Sequence, residues 1–376
     1  SLRPLPEKFH GLTDTEMRYR QRYVDLIVND GVKDTFLQRA TVLRTLRNVL
    51  DNAGYTEVET PTLQSIAGGA SARPFITHFN ALDQDMYMRI ATELYLKRLI
   101  VGGFEGVYEI GKNFRNEGMD RFHNPEFTCM ELYVQYKDYN WMMSFTEQLL
   151  EKICVAVNGK PEVQMSDKVI SFKAPFRRLP ILDAIKEKTG FDLYGKSEDE
   201  IRNIAVNELK LEEIDESFGK GKLIDEIFGE FCEGTFIQPT FIIDYPVEMS
   251  PLTKMHRSKP GLTERFELMV NGKELANAYS DKARLVQALQ LAEDCEVLFT
   301  SSDTRMLIVH SGLIPAKVTK DTQGVAVMAL KKKHMLVSAR IYDGGFADPK
   351  RYMVRTLPGA GALPKDGDAT EQLTLA

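Results

Sequence analysis

The sequence predicts an α+β fold in which helices flank an antiparallel sheet. Two segments have the alternation and turn residues of β-hairpins: 107–134, whose polar loop ends in Asn124-Pro125, and 265–279, which turns at Asn271-Gly272. Amphipathic helical patterns cover 33–53 and 139–158. Hairpins that alternate with helices are typical of α+β proteins.

The remaining elements follow in chain order. Residues 12–30 are predicted to be helical, and Gly54 fits the C-terminal cap of the helix over 33–53. Thr92 is a suitable N-cap for a helix over 93–101, which places Glu93 in its first turn. Strands are predicted at 55–58, 75–79, 86–90 and 236–250, a loop at 66–72, and short helices with connections over 160–240.

Charged residues are concentrated in the first hairpin. Alternation along its second strand places Phe127, Cys129, Glu131 and Tyr133 on one face. A carboxylate between aromatic side chains suits a cationic or purine-like ligand, because charge within a sheet costs free energy unless it is paired. Spacing alone leaves a second interpretation open, a solvated face with ordinary ion pairs.

Bulk properties indicate a globular protein without a membrane span. The chain has 376 residues, which predicts two or three domains, and its composition is 43% hydrophobic and 27% charged. It contains no apolar run of membrane-spanning length and no signal-peptide core near Ser1. Its four scattered cysteines predict reduced thiols and a cytoplasmic location.

The net charge and the predicted secondary structure both change near residue 280. The net charge is −8 over residues 1–280 and +2 over residues 281–376, which indicates a module boundary there. Beyond it, predicted strands at 297–300, 306–310, 325–330 and 335–339 indicate a small all-β meander, with a basic turn at 331–333 and a loose end.

Several of these segments together resemble the catalytic core of a class II lysyl-tRNA synthetase, over about residues 1–280. The long helix with Glu59-Thr60-Pro61 resembles class II motif 1, which implies a homodimer through this region. The run from Phe114-Arg115-Asn116-Glu117 to Tyr133 resembles motif 2. The loop at 67–75 and the segment at 245–252 resemble lysyl-type loops.

This resemblance implies roles for individual residues. Arg115 would hold the lysine carboxylate and the α-phosphate of ATP, as a planar guanidinium suits both. The other residues implied to bind ATP are Glu117, His123, Asn124 and Phe127. Those implied to bind lysine are Gly69, Glu93, Glu131, Tyr133, Asn277 and Tyr279.

The resemblance also implies Mg²⁺ and a tRNA partner. Glu267 and Glu274 would bind the magnesium ion, which prefers oxygen ligands. On strand parity alone, Glu274 needs a β-bulge to face the same way as Asn277 and Tyr279. The implied reaction joins L-lysine and ATP into lysyl-adenylate and then transfers lysine to tRNA(Lys).

The sequence departs from this family at both ends. We expect that the anticodon-binding barrel is absent, and that motif 3, which would hold the ATP γ-phosphate, is missing after Asp281. Residues 282–376 resemble the C-terminal end of a bacterial type II topoisomerase A subunit. We therefore expect a chimera joined near Ser280, either a gene fusion or an assembly artefact, which would explain the missing motif 3 and the unrelated tail. Loss of motif 3 is expected to impair activity.

The sequence is also compatible with two other functions. A synthetase core without an anticodon domain resembles the paralogues that lysylate a translation factor. Alternatively, the tail could make the chain a DNA-binding fragment, with the basic turn at 331–333 touching phosphates.

Overall fold

The computed structural model describes residues 11–120, 122–281, 294–314, 326–330 and 336–365. The chain divides into two compact units, Ser1–Ala283 and Arg284–Ala376. The tail stretches at 282–290, 320–325 and 331–333, on which the topoisomerase resemblance and the basic turn depend, lie outside the described residues.

The α-helices of the described first unit follow the predicted order. They are α1 (Thr15–Arg20), α2 (Arg22–Val28), α3 (Val32–Asn52), α4 (Glu93–Val101), α5 (Tyr139–Asn158), α6 (Ile181–Thr189), α7 (Glu198–Asn203) and α8 (Lys220–Phe231). Helix α3 ends as the sequence predicts, because Gly54 takes a positive φ of 84° just beyond its last turn. Helix α4 also begins where predicted, but the Thr92 side chain makes no cap hydrogen bond.

The strands of the first unit form separate small sheets. They are β1 (Thr56–Glu57), β2 (Leu63–Gln64), β3 (Ile76–Phe79), β4 (Gln84–Met88), β5 (Gly106–Phe114), β6 (Glu126–Val134), β7 (Glu162–Met165), β8 (Lys168–Ser171), β9 (Arg177–Pro180), β10 (Thr240–Ile243), β11 (Arg265–Val270) and β12 (Lys273–Tyr279). The strand orders are β1-β5-β6, β12-β11-β10-β9, β2-β4-β3 and β7-β8.

Both predicted hairpins are present. Strands β5 and β6 pair antiparallel along their whole length, from Gly106 opposite Val134 to Phe114 opposite Glu126. Strands β11 and β12 turn at Asn271 and Gly272, both with positive φ, as the tight Asn-Gly turn requires. The predicted strand at 236–250 is too long, because regular pairing stops at Ile243, and a 3₁₀ turn occupies Val247–Met249.

The sheet β12-β11-β10-β9 carries an apolar core on each face. Alternation along β10 and β11 directs Phe241 and Leu268 to one side, where Tyr139 and Met143 of α5 pack. Ile242 and Met269 point to the other side, into the core of α6 and α8. Because both faces are covered, the sheet is a rigid support for side chains near its open edge.

The second unit is β-rich, as predicted, but it is not the predicted meander. Strands β13 (Glu296–Ser301), β14 (Met306–His310) and β15 (Leu336–Ile341) form an antiparallel sheet in the order β14-β13-β15. The predicted strand at 325–330 is wrong, because its described part contributes only a bridge from Met328 to Gly359. The predicted loose end is partly wrong too, since Ala362 exchanges two 2.8 Å backbone hydrogen bonds with Met306.

None of the described helices combines the length and the apolar character needed to cross a bilayer.

Candidate active site

The first wall of the candidate site is the β5–β6 hairpin. Arg115 follows β5 directly, and its backbone N–H donates to the Pro125 carbonyl at 2.8 Å, which closes the base of the loop. Its guanidinium carbon lies 5.1 Å from the centre of the Phe127 ring. Within the described residues, Arg115 forms no ion pair, and its buried Nε has no hydrogen-bond partner. A cation left unpaired in this way is suited to bind an anion.

Two further buried polar atoms near this wall lack a partner among the described residues, Asn113 Oδ1 and Thr92 Oγ1. Asn113 pairs with Phe127 across the hairpin, so the two side chains share one face. Buried polar atoms are rarely left unbonded in folded proteins. Together with Arg115, these atoms make this face a candidate ligand site.

The loop at the end of the hairpin is solvent-exposed. Glu117 accepts a 3.2 Å hydrogen bond from the Arg73 backbone N–H, which links this loop to the loop before β3. The His123 ring lies 2.7 Å from Asp120 Oδ2. This hydrogen bond, with backbone N–H groups of Phe122 and His123, lowers the pKa of Asp120 to about 2.

A carboxylate cluster lies further along the same face. Glu131 Oε1 accepts from the Thr92 backbone N–H at 3.2 Å, and Glu131 Oε2 accepts from the Tyr133 hydroxyl at 3.1 Å. Burial, and then the negative charges of Glu131 and Glu93, raise the pKa of Tyr133. The phenol therefore stays protonated and remains a donor to Glu131.

The second wall is the end of β12. The Tyr279 hydroxyl donates to Glu93 Oε1 at 2.7 Å, so this strand meets the first turn of α4. Burial and this hydrogen bond raise the pKa of Tyr279 to about 12. Lys97, one helical turn after Glu93, places its Nζ 2.6 Å from Glu93 Oε1 and 2.6 Å from Asp281 Oδ2.

Gly69 brings the 66–72 loop against the same helix start. Its φ is +89°, and a Cβ at this position would lie 3.2 Å from Ala91 Cβ and 3.3 Å from Glu93 Cβ. Both the backbone conformation and the space require glycine here. The close approach sets the loop directly beside Glu93.

The predicted magnesium ligands lie on the β11–β12 hairpin. A register shift between Leu268 and Met269 leaves Glu274 opposite Met269, whereas Asn277 lies opposite Glu267. Met269 has the same parity as Glu267, so the bulge places Glu274 on the face of Glu267 and Asn277. Burial and the nearby charge of Glu274 raise the pKa of Glu267, against the lowering influence of Arg265.

These two carboxylates fit a magnesium ion whose other ligands are phosphate oxygens. Mg²⁺ is commonly held by one or two carboxylates together with substrate phosphates and water. The described residues contain no cluster of three or more groups that could hold a metal without such a substrate. Glu267 is meanwhile ion-paired with Arg265, whose NH1 donates to Ser250 Oγ at 2.7 Å.

A buried ion pair supports the floor of the site. Arg89 and Glu109 are each only 4% exposed, and their charged groups lie 2.5 Å apart. Arg89 also donates to the Lys112 carbonyl at 2.8 Å, and Thr60 donates its hydroxyl to Glu109 at 2.6 Å. Glu109 lies directly opposite Glu131 across the hairpin. Its pairing with Arg89 therefore reduces the repulsion between the two carboxylates.

Comparison with known proteins bears on the same part of the chain. The family model of class II tRNA synthetases (D, K and N) matches residues 14–297, well over half of the chain. The chain belongs to this family. The class II synthetase match includes both hairpins of the candidate site and continues past residue 280.

Several curated relatives carry the name lysine–tRNA ligase. That of Porphyromonas gingivalis is 60% identical over 319 residues, which cover 81% of this chain and 55% of the relative. That of Christiangramia forsetii is 59% identical, with 81% and 56% covered. That of Azobacteroides pseudotrichonymphae is 56% identical, with 84% and 64% covered. The chain spans little more than half the length of the first two relatives.

Membership of the class II synthetases confirms the family resemblance and the α+β fold class. Four expectations stay predictions: the topoisomerase resemblance, the missing motif 3, the domain boundary near 280 and the roles of individual residues.

The structure sorts the predicted site residues into groups. Most of the residues predicted to bind lysine lie close together: Gly69, Glu93, Glu131, Tyr133 and Tyr279. Asn277 lies with the predicted magnesium ligands, because its side chain donates to Glu267 at 3.3 Å. Of the residues predicted to bind ATP, Arg115 and Phe127 are in contact. The other three, Glu117, His123 and Asn124, are exposed in the loop.

Five residues that support the site were not predicted from the sequence: Lys97, Arg89, Glu109, Arg265 and Ser250. Only Lys97 carried a local signal, its i,i+4 spacing from Glu93.

Proposed function

We propose that this chain activates lysine with ATP, as in class II lysyl-tRNA synthetases. The observation that carries the proposal is that the β5–β6 hairpin has a positive charge at one end of this face and negative charges towards the other end. An unpaired, partly buried Arg115 lies at one end, and the carboxylates of Glu131 and Glu93 lie towards the other. An amino acid with a second ammonium group matches this arrangement at both ends.

Charge counting supports lysine over a monoamino acid. The carboxylates of Glu93, Glu131 and Asp281 carry three negative charges, and Lys97 offsets one of them. The remaining charge of −2 balances the +2 of the two ammonium groups of lysine. A buried carboxylate without a cation is costly, so a ligand that lacks the side-chain ammonium group would bind poorly.

The chemical step needs positioning and charge neutralisation from this chain. A carboxylate oxygen of lysine attacks the α-phosphorus of ATP, a new O–P bond forms, and the bond to the β-phosphate breaks, releasing pyrophosphate. The fork of Arg115 would hold the lysine carboxylate beside the α-phosphate, which lowers the entropic cost and stabilises the negative charge that develops.

Phe127 would provide a stacking surface for adenine. The Arg115 guanidinium already lies against this ring, so the base must use the opposite face or displace the guanidinium. Glu117, His123 and Asn124 are exposed in the loop of the same hairpin, where they would contact the rest of ATP.

Magnesium would neutralise phosphate charge when bound. Glu267 and Glu274 would hold it, since the bulge in β12 brings both carboxylates to one face. Arg265 keeps Glu267 paired in the absence of the ion.

Transfer to tRNA(Lys) is part of the proposal, since the relatives are named lysine–tRNA ligase. A homodimer through the α3 region is also proposed, and it rests on the resemblance of this region to class II motif 1. The alternatives, a protein acceptor and a DNA-binding tail, gain no support from these comparisons, because the matched family and the relatives named above are synthetases.

The test is lysine-dependent exchange of pyrophosphate into ATP by the full chain, with lysine binding measured alongside by calorimetry. Glu131→Gln should weaken lysine binding strongly and leave ATP binding intact. Glu126→Gln is the matched control, because Glu126 lies on the same strand but is exposed and paired with Lys112. Equal lysine affinity in wild type and Glu131→Gln would overturn the proposal.

A further inference from the structure

Lys97 joins two elements of the first unit at a point where acidic groups converge. Its ammonium nitrogen lies 2.6 Å from Glu93 Oε1 on its own helix and 2.6 Å from Asp281 Oδ2 at the end of β12. It also donates to the Tyr279 hydroxyl at 3.3 Å and lies 5.3 Å from the centre of that ring. The Lys97 side chain is 28% exposed, so these contacts form in a largely desolvated place.

We infer that Lys97 is a positioning residue that determines the geometry and net charge of the lysine pocket. It holds Glu93 and Asp281 side by side, and it uses only one of the two oxygens of Glu93. This inference rests on the proposed lysine activation, because it assigns Lys97 a place within that same pocket.

The geometry shows why a cation is needed at this point. Two oxygens that each lie 2.6 Å from one nitrogen cannot be more than about twice that distance apart. Two carboxylates at that separation repel each other in a partly buried place. Without the ammonium group, the end of β12 would move away from α4, and the pocket would widen.

The hydrogen bonds also orient Glu93 for a ligand. Its Oε1 accepts from both Lys97 and the Tyr279 hydroxyl. Its Oε2 has no hydrogen bond to any residue that the structure describes. A substrate ammonium group can therefore bind Oε2 without displacing either neighbour.

The spacing on helix α4 favours one position for the Lys97 side chain. Glu93 and Lys97 are four residues apart on α4, the order in which a Glu–Lys pair is most favourable. Hydrogen bonds to Asp281 and Glu93 outweigh the effect of burial and raise the pKa of Lys97, which favours its charged form.

The experiment compares Lys97→Met and Lys97→Arg with the wild-type full chain. Methionine keeps the length of the side chain without its charge, and arginine keeps the charge. Lys112→Met is the matched control, because Lys112 forms an exposed ion pair with Glu126. Calorimetry gives the Kd for lysine and for ATP with Mg²⁺, and thermal unfolding reports whether each variant is folded.

We expect Lys97→Met to raise the Kd for lysine about tenfold or more, through loss of one charge-assisted contact that orders the pocket. The Kd for ATP should stay within about threefold of wild type, since Lys97 has no described contact with Arg115 or Phe127. Lys97→Arg should recover most of the lysine affinity. Lys97→Ala should gain lysine affinity when ethylammonium is added, because the small cation can occupy the vacated position.

Four results would overturn the inference. Unchanged lysine affinity in Lys97→Met would show that the pocket does not depend on the ammonium group. Tighter lysine binding would show that Lys97 competes with the substrate. An equal loss of lysine and ATP affinity would indicate general damage to the fold. Wild-type chain that binds ATP but no lysine would overturn the proposed function, and this inference with it.

Discussion

Replacing Arg115 by methionine should separate stability from activity in this protein. The guanidinium has no ion pair among the described residues, and its Nε is buried without a partner. Its contact with the Phe127 ring contributes about 0.5–1 kcal/mol, whereas an unbonded buried donor costs about 1–3 kcal/mol. Arg115→Met should therefore leave the free energy of unfolding unchanged or raise it by up to about 2 kcal/mol.

The same substitution should nearly abolish lysine activation. Loss of one preorganised donor to developing negative charge costs about 10²–10³ in kcat. Urea unfolding and lysine-dependent pyrophosphate exchange measure the two effects on one preparation. Arg89→Met is the contrasting control, because it breaks a pair in which both partners are 4% exposed and should cost about 3–5 kcal/mol of stability. If Arg115→Met lost more than about 2 kcal/mol, Arg115 would be a structural residue and the reasoning would be wrong.

Three further predictions follow from the same contacts. Gly69→Ala should weaken lysine binding and lower the unfolding free energy by about 1–2 kcal/mol, since the new methyl group meets Glu93 at a positive φ; unchanged calorimetry and urea curves would contradict this. Glu109→Gln should lower the free energy of unfolding by about 3 kcal/mol, as it leaves Arg89 buried without its counter-ion; a loss below about 1 kcal/mol would show that the pair contributes little. The pKa of Tyr279 is raised from 10 to about 12, so the stability that its neutral hydroxyl contributes is complete below pH 10 and is lost as the pH rises to about 12. Glu93→Gln should shift the absorbance change of Tyr279 ionisation to lower pH, and an unchanged titration would exclude the hydrogen bond.

The fold was predictable where local rules decide it. Asn271-Gly272 specified a tight turn, and alternation from Phe127 to Tyr133 specified the face of β6. The strand at 236–250 was overestimated, because apolar residues continue past Ile243 while Asp244 takes a positive φ that breaks the ladder. In the tail, β15 pairs with β13, which lies far from it along the chain. The residues of β15 alone do not indicate which strand it pairs with.

The candidate site was predictable only in part. Family resemblance pointed to Glu131 and Tyr133, and alternation placed both on one face. Strand parity put Glu274 on the wrong face, because a bulge cannot be located from spacing alone. Lys97 and Arg89 were missed because their partners, Asp281 and Glu109, lie far from them along the chain.

The decisive measurement is the calorimetric affinity of the full chain for lysine and for norleucine, each titrated without ATP so that no adenylate forms. Norleucine has the same carbon chain as lysine but lacks the side-chain ammonium group that the carboxylates of Glu93, Glu131 and Asp281 are proposed to balance. We expect one lysine to bind per chain and norleucine to bind about 10²-fold more weakly or worse. Equal affinity for the two amino acids, or no binding of lysine at all, would contradict the proposed function.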